Sequence, residues 1–276
     1  MYLGLGLRLG SGTFAGFDAD AAAYFDRAGV TNATAKAQIN AFVKGTKDLG
    51  LWSNIVSWPM RSAQNIASGN TVYSLGGREI SNATKVGGTW GTDGIFFSGD
   101  SEYMSSDMTN VPKDVTIFLS GKGDGSGYSS FPCIAGINNP AGHATSAIYL
   151  GNSASGGNAS LCNSQPIGFL QTTDIVNGLS SASSFVALSG SYKRNAVFNV
   201  RNLSAATVGT QGTYLADEAT TLTKMSFNGR WSGSAGDRGN PITGSFYALI
   251  TPNCDSVISS FYSLYKTTLG AGLGLP

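Results

Sequence analysis

Between residues 63 and 252 the chain is a succession of short β-type runs with no helix-length pattern between them, and this limits its possible folds more than any other feature. The runs are "TVYSLGG", "GIFFSG", "VTIFLSG", "AIYLGN", "IGFLQT", "SFVALSGSY", "AVFNVRN", "KMSFNG" and "GSFYALI", separated by Gly, Ser, Asn and Asp. Many short strands with turn residues at intervals predict an antiparallel sandwich or barrel. At 276 residues, 41% apolar and 11% aromatic, the chain can bury a sizeable core. Its charged residues are only 12%, so Ser, Thr, Asn and Gly must finish the surface.

The flanks differ. Residues 18–52 are alanine-rich and helical in period, and predict a two-helix hairpin. Asp18 or Asp20 caps the first helix and Gly29 ends it; Thr31 or Asn32 caps the second, whose stripe is Ala35, Ile39, Phe42 and Val43. The following "LWSNIVSWPM" is expected to link this hairpin to the β region, with Pro59 preventing a helix. A closing helix is expected over 254–268, capped by Asn253 or Asp255, buried through Val257, Ile258, Phe261, Leu264 and Tyr265, and stopped at Gly270. At the N-terminus Leu3, Leu5, Leu7 and Leu9 alternate with Gly and Arg, and Leu273 and Leu275 alternate with Gly at the other end. Extended, such segments gather leucine on one face, so both are candidate arms for assembly. The expected organisation is therefore an arm over 1–14, hairpin and linker over 15–62, a β domain over 63–268 and a tail over 269–276.

Composition excludes several partners. The net charge is +1 with no Lys/Arg cluster, which argues against nucleic acid and anionic membranes. Cys133, Cys162 and Cys254 are odd in number, far apart and without neighbouring histidines, so reduced thiols are expected rather than disulfides or zinc. No apolar run reaches the ~20 residues of a membrane span. Arg8 interrupts the opening "MYLGLGLRLG", which does not read as a signal peptide. The sequons at Asn32, Asn82, Asn158 and Asn202 are what an Asn/Ser/Thr-rich chain contains by chance.

In order along the chain, "GTWGTDGIFFSGDSEYM", "DVTIFLSGKG", "NAVFNVRNLSAA" and "KMSFNGRWSGSAG" through "FYSLYK" resemble the strand signatures of laminin-G-like, concanavalin A-like lectin/glucanase jelly rolls. The resemblance covers roughly residues 65–265 and implies a mainly β antiparallel jelly-roll sandwich with an N-terminal helical hairpin and a short C-terminal helix. A helical hairpin placed before such a jelly roll also looks like the arrangement in virion proteins of tailed bacteriophages, whether tail appendage, fibre or head decoration. That resemblance implies a structural component of a particle assembled in bacterial cytoplasm. Its partners would be other virion proteins and copies of itself, with host-surface polysaccharide as the alternative.

Enzymatic chemistry finds little support in the residue types. Glucanases of this fold need alternating carboxylates on one strand, about 5 Å apart across the scissile bond. The chain has three glutamates, Glu79, Glu102 and Glu218, no two of them close in sequence. Asp100 and Glu102 follow Gly99 and are expected at a hairpin tip, with Phe97 and Tyr103 in the core. The single histidine, His143, has no nucleophile elbow to serve, and "GKGDGSG" fits no phosphate-binding pattern. The expectation is therefore no enzyme and no cofactor. Laminin-G-like domains often hold calcium in loop carboxylates. Asp93, Asp100, Asp124 and Asp237 lie in suitable loops, but no spacing selects among them, so no metal is assigned.

Binding has better candidates. The loop "NGRWSGSAGDRGN" offers Asn228, Arg230, Trp231, Asp237 and Arg238, and "GSGYSSF" offers Tyr128. An aromatic platform beside planar polar groups suits a sugar. Trp, Tyr and Arg also anchor protein interfaces. A subunit contact is thus the first reading of this loop and a glycan the second.

Overall fold

The computed structural model describes residues 16–65, 69–99, 101–112, 114–123, 133–138, 147–152, 158–165, 168–171, 176–177, 182–193, 197–208, 222–231, 236–237 and 239–276. Local chemistry starts the fold. Helix α1 (Ala19–Ala28) begins where the Asp18 carboxylate accepts from Asp20 N and stops at Gly29, whose φ of 63° closes the last turn. Helix α2 (Ala33–Asp48) begins at Asn32, whose Oδ1 accepts from Ala35 N at 2.9 Å. The expected stripe of Ala35, Ile39, Phe42 and Val43 is buried. Helix α3 (Ile258–Thr267) follows a short 3-10 turn and has no side-chain cap. Asp255, expected to cap it, is instead drawn to the Arg201 guanidinium at 2.6 and 2.9 Å.

The β region forms two large antiparallel sheets. The inner one runs through Thr207–Val208, Val197–Asn202, Val186–Lys193, Asp114–Gly123, Ile242–Ile250, Ile95–Phe97 and Thr89–Trp90. The outer one runs through Gly168–Gln171, Asn158–Gln165, Ala147–Asn152, Cys133–Asn138, Leu222–Phe227, Tyr103–Val111, Ala83–Val86 and Thr71–Val72. Successive segments cross repeatedly from one sheet to the other, as in a jelly roll. The chain is a mainly β, antiparallel sandwich with two helices before it and one after.

Alternation assigns the inner sheet two buried faces. Val115, Ile117 and Leu119 face the outer sheet with Tyr247 and Leu249, while Phe118, Phe246, Ala248 and Ile250 face the helices. Within the inner sheet Trp58 stacks on its cross-strand partner Tyr247 with ring centroids 5.4 Å apart, and its indole N–H donates to Ser81 O at 2.7 Å. The Tyr247 hydroxyl donates to Gly136 O at 3.1 Å and so joins the sheets, and burial raises its pKa. On the far side α1, α2 and α3 close a second core over Phe118 and Phe246. The molecule thus has three layers, one more than a bare sandwich.

Three expectations are corrected. The "LWSNIVSWPM" segment is part of the sandwich: Ile55–Pro59 pairs with Ile250–Phe246 of the inner sheet. The sandwich begins at residue 55, because Ile55 serves the helix core while Val56, Trp58 and Met60 serve the other. The turn at 98–102 is not a hairpin tip, since Ile95–Phe97 belongs to the inner sheet and Tyr103–Val111 to the outer; it is a corner between sheets. Phe97 enters the core, whereas Tyr103 is only half-buried.

The C-terminal tail is not a free arm. Positive φ at Gly272 and Gly274 turns the chain back, and Leu269, Leu273 and Leu275 are buried against the helical core. Arg61 donates to Leu269 O and Ala271 O at 3.2 and 2.9 Å, and the Tyr262 hydroxyl to Pro276 O at 2.7 Å. Leu273 and Leu275 are thereby spent within their own chain. Leu3, Leu5, Leu7 and Leu9 lie outside the described residues.

Candidate functional site

At the corner of residues 98–102 the Glu102 carboxylate accepts from Ser98 N at 2.5 Å and Glu102 N donates to Gly99 O at 3.1 Å. The Ser98 N–H holds this carboxyl below its usual range, against an opposing effect of burial. Lys85 points inward beside it with 5% exposure, its Nζ donating to Gly87 O and Gly88 O at 2.6 and 2.8 Å. Burial lowers the Lys85 pKa, and the nearby Glu102 charge partly restores it. Glu102 therefore staples the corner.

A folded pKa below the unfolded value of about 4.3 stabilises fully above that value and fades as pH falls through the folded one. Glu102→Gln is expected to cost about 1–2 kcal/mol at pH 7. In urea titrations the gap from wild type should begin to narrow as pH falls below about 4.3 and close only at the lower pH where the folded-state carboxyl is itself protonated.

The sequence-selected binding loop is only partly described. Arg230–Trp231 pairs in backbone register with Gly236–Asp237, placing Arg230 opposite Asp237 in a two-residue ladder. Arg238 and Tyr128 lie outside the described residues, as do Asp100, Asp124 and His143. Asn228 is fully buried at φ 53°, donates to Glu102 O at 2.9 Å and accepts from Asn240 N at 3.0 Å. Its amide holds the frame of the loop and is not available to a sugar. Cys254 is a buried free thiol, pushed by burial up to about 11. Among the described residues no three His, Cys, Asp or Glu side chains converge as a metal set, and no helix is long and apolar enough to cross a membrane.

A different site emerges on the helix-facing side of the inner sheet, at the end the helices do not reach. Thr89, Phe96, Thr243 and Lys122 are direct cross-strand neighbours on four adjacent strands, so their side chains form one row. Phe96 is 43% exposed. Lys122 Nζ lies 4.8 Å from the Phe185 ring centroid and 3.9 Å from Asp93 Oδ2. Trp90 forms the edge, half-buried against the sandwich core, with its indole N–H on Gly69 O at 3.3 Å. Arg61 Nε donates to Thr92 O at 3.0 Å, fastening the cleft's turn to the segment that grips the C-terminal tail. The cleft is a shallow depression, open to solvent, with a volume of about 370 Å³.

Sequence reasoning missed this cleft. "GIFFSG" and "FLSGKG" read only as strands, and nothing local announces that Phe96 and Lys122 share a face. The available signal was "IFF" itself: with Ile95 and Phe97 inward, the middle Phe96 must point the other way.

No protein-family model and no curated protein sequence matches the chain. Solved structures do match its fold. Trypanosoma rangeli sialidase in complex with sialic acid superposes with TM-score 0.51 at 10% identity, over 78% of this chain and 33% of that one. The same sialidase with the inhibitor DANA gives 0.52 at 11% identity, over 86% and 40%. A point mutant of HCR/D gives 0.53 at 10% identity, over 76% and 51%. This chain spans about a third to a half of the length of the structures it matches.

At such identity the likeness shows the fold, a β-sandwich. It also overturns the expectation that the chain is no enzyme. That expectation rested on the missing glucanase carboxylates, yet sialidases are among the matching chains, so the lack of that motif excludes nothing.

Proposed function

We propose that this chain is a carbohydrate-binding component of a bacteriophage particle and that it holds its glycan in the Phe96 cleft. The observation that carries the reading is the row of Thr89, Phe96, Thr243 and Lys122 beside Asp93. It gives a sugar ring an exposed aromatic face, two hydroxyls, an acceptor carboxylate and a donor ammonium on a rigid sheet. The low charge of the chain fits a polar, uncharged surface around such a site. The virion location is supported by the order of the pieces, a capped helical hairpin followed by a jelly roll.

Glycan-array binding followed by titration tests the site. Phe96→Ala should leave stability nearly unchanged, since the ring is exposed, and weaken glycan binding about tenfold, or about 1.4 kcal/mol. Wild-type protein that retains no glycan, or a Phe96→Ala variant that binds equally well, would overturn the assignment. Mass spectrometry of purified particles tests the location.

A further inference from the structure

We infer that the glycan is acidic, a hexuronic acid or similar carboxylate-bearing sugar, with its carboxylate on Lys122 and its ring over Phe96. This rests on the carbohydrate-binding reading and narrows it to a substrate class. Among the described residues Lys122 Nζ has no hydrogen-bond acceptor: Asp93 Oδ2, at 3.9 Å, is beyond hydrogen-bond length. Other lysines are committed to their own chain, Lys47 to Asp18 and Asp20 at 2.8 and 2.6 Å, Lys224 to Asp107 at 2.9 Å and Lys85 to two carbonyls. Lys193, 3.9 Å from Asp114, and Lys36, over the Phe25 ring, are held as loosely, but of these only Lys122 lines the cleft. Its ammonium is placed by the Phe185 ring, itself only 6% exposed, and keeps its donors for something in the cleft.

The spacing fits a sugar acid. Phe96 and Lys122 stand two strands apart with Thr243 between them, about 10 Å in the sheet plane. A pyranose stacked on Phe96 directs an equatorial ring substituent over Thr243 toward the ammonium. A carboxylate there forms a charge-assisted hydrogen bond that a hydroxymethyl group cannot match. Asp93, 48% exposed on the cleft's turn, is then left to accept from ring hydroxyls.

Galacturonate and glucuronate oligomers, each beside its neutral galactose or glucose counterpart, provide the test, because each pair differs only in carboxylate against hydroxymethyl. By calorimetry at low salt, wild type should prefer an acidic member at least tenfold, with the preference shrinking as salt rises. Lys122→Gln should abolish that preference, weakening the acidic member of each pair at least tenfold more than the neutral one, whereas Phe96→Ala should weaken both members alike. Equal affinity within both pairs, or a preference that survives Lys122→Gln, overturns the inference. So does equally tight binding of poly-glutamate that does not need Phe96, which would mark an anion site without sugar recognition. Phe96-dependent binding of neutral glycans alone refutes the acidic class and leaves the carbohydrate reading standing. Binding of no glycan removes both.

Discussion

Phe118→Ala is expected to destabilise the protein by about 3–5 kcal/mol, although the residue lies on one strand of one sheet. Its ring is fully buried and lies 5.1 Å from Phe261 and 5.4 Å from Tyr265, both on α3, and 5.9 Å from Phe246 on the neighbouring strand. Phe246 is in turn 5.4 Å from Phe42 of α2 and stacked at 4.8 Å on Tyr265. Truncation at the centre of such a cluster leaves a cavity bordered by two helices and a sheet, none of which can close it alone. The helices have no other apolar layer to cover, and the inner sheet would expose a second hydrophobic face without them. Their loss and the sandwich's loss should therefore be one event. Urea unfolding followed by far-ultraviolet circular dichroism and by tryptophan fluorescence should give coincident transitions in wild type and variant. A helical signal that melts first, with the sandwich intact, would show the helices to be an accessory.

The sequence carries this architecture unevenly. The α1–α2 hairpin was legible because its signals are local: Asp18, Gly29 and Asn32 act within a turn of the residues they cap. The Ile55–Pro59 strand was not, because a strand buried on both faces loses its alternation, and Pro59 at its end reads as a break. The corner at Gly99 used the same residues a hairpin would, and only the pairing partners on either side reveal a change of sheet. At the C-terminus the Leu/Gly alternation suggested an extended arm. The glycines instead supply the left-handed turns that fold Leu273 and Leu275 onto the body. The candidate cleft was least legible, since Thr89, Phe96, Thr243 and Lys122 are brought together only by register across four strands.

That dependence on register makes Gly94→Ala the substitution expected to damage fold and site together. Gly94 is buried at φ 152°, a conformation side chains rarely adopt, and an added Cβ would stand 2.0 Å from Gly244 O and 2.7 Å from Gly244 C. Those atoms are backbone and cannot rotate away. Gly244 has no room to retreat either, with Phe227 and Met60 packed where its own Cβ would be. Relief must come from pushing the Ile95–Phe97 strand off the Ile242–Ile250 strand, against the pairs Ile95–Gly244 and Phe96–Thr243. Backbone strain and the broken ladder together should cost about 3 kcal/mol or more. Moving Phe96 away from Thr243 and Lys122 should also remove glycan binding in whatever fraction remains folded. Phe96→Ala separates the two effects, because it deletes the aromatic face and leaves the strand in place. If Gly94→Ala unfolds at the wild-type urea concentration, the close approach of these two strands is not what holds the cleft in register.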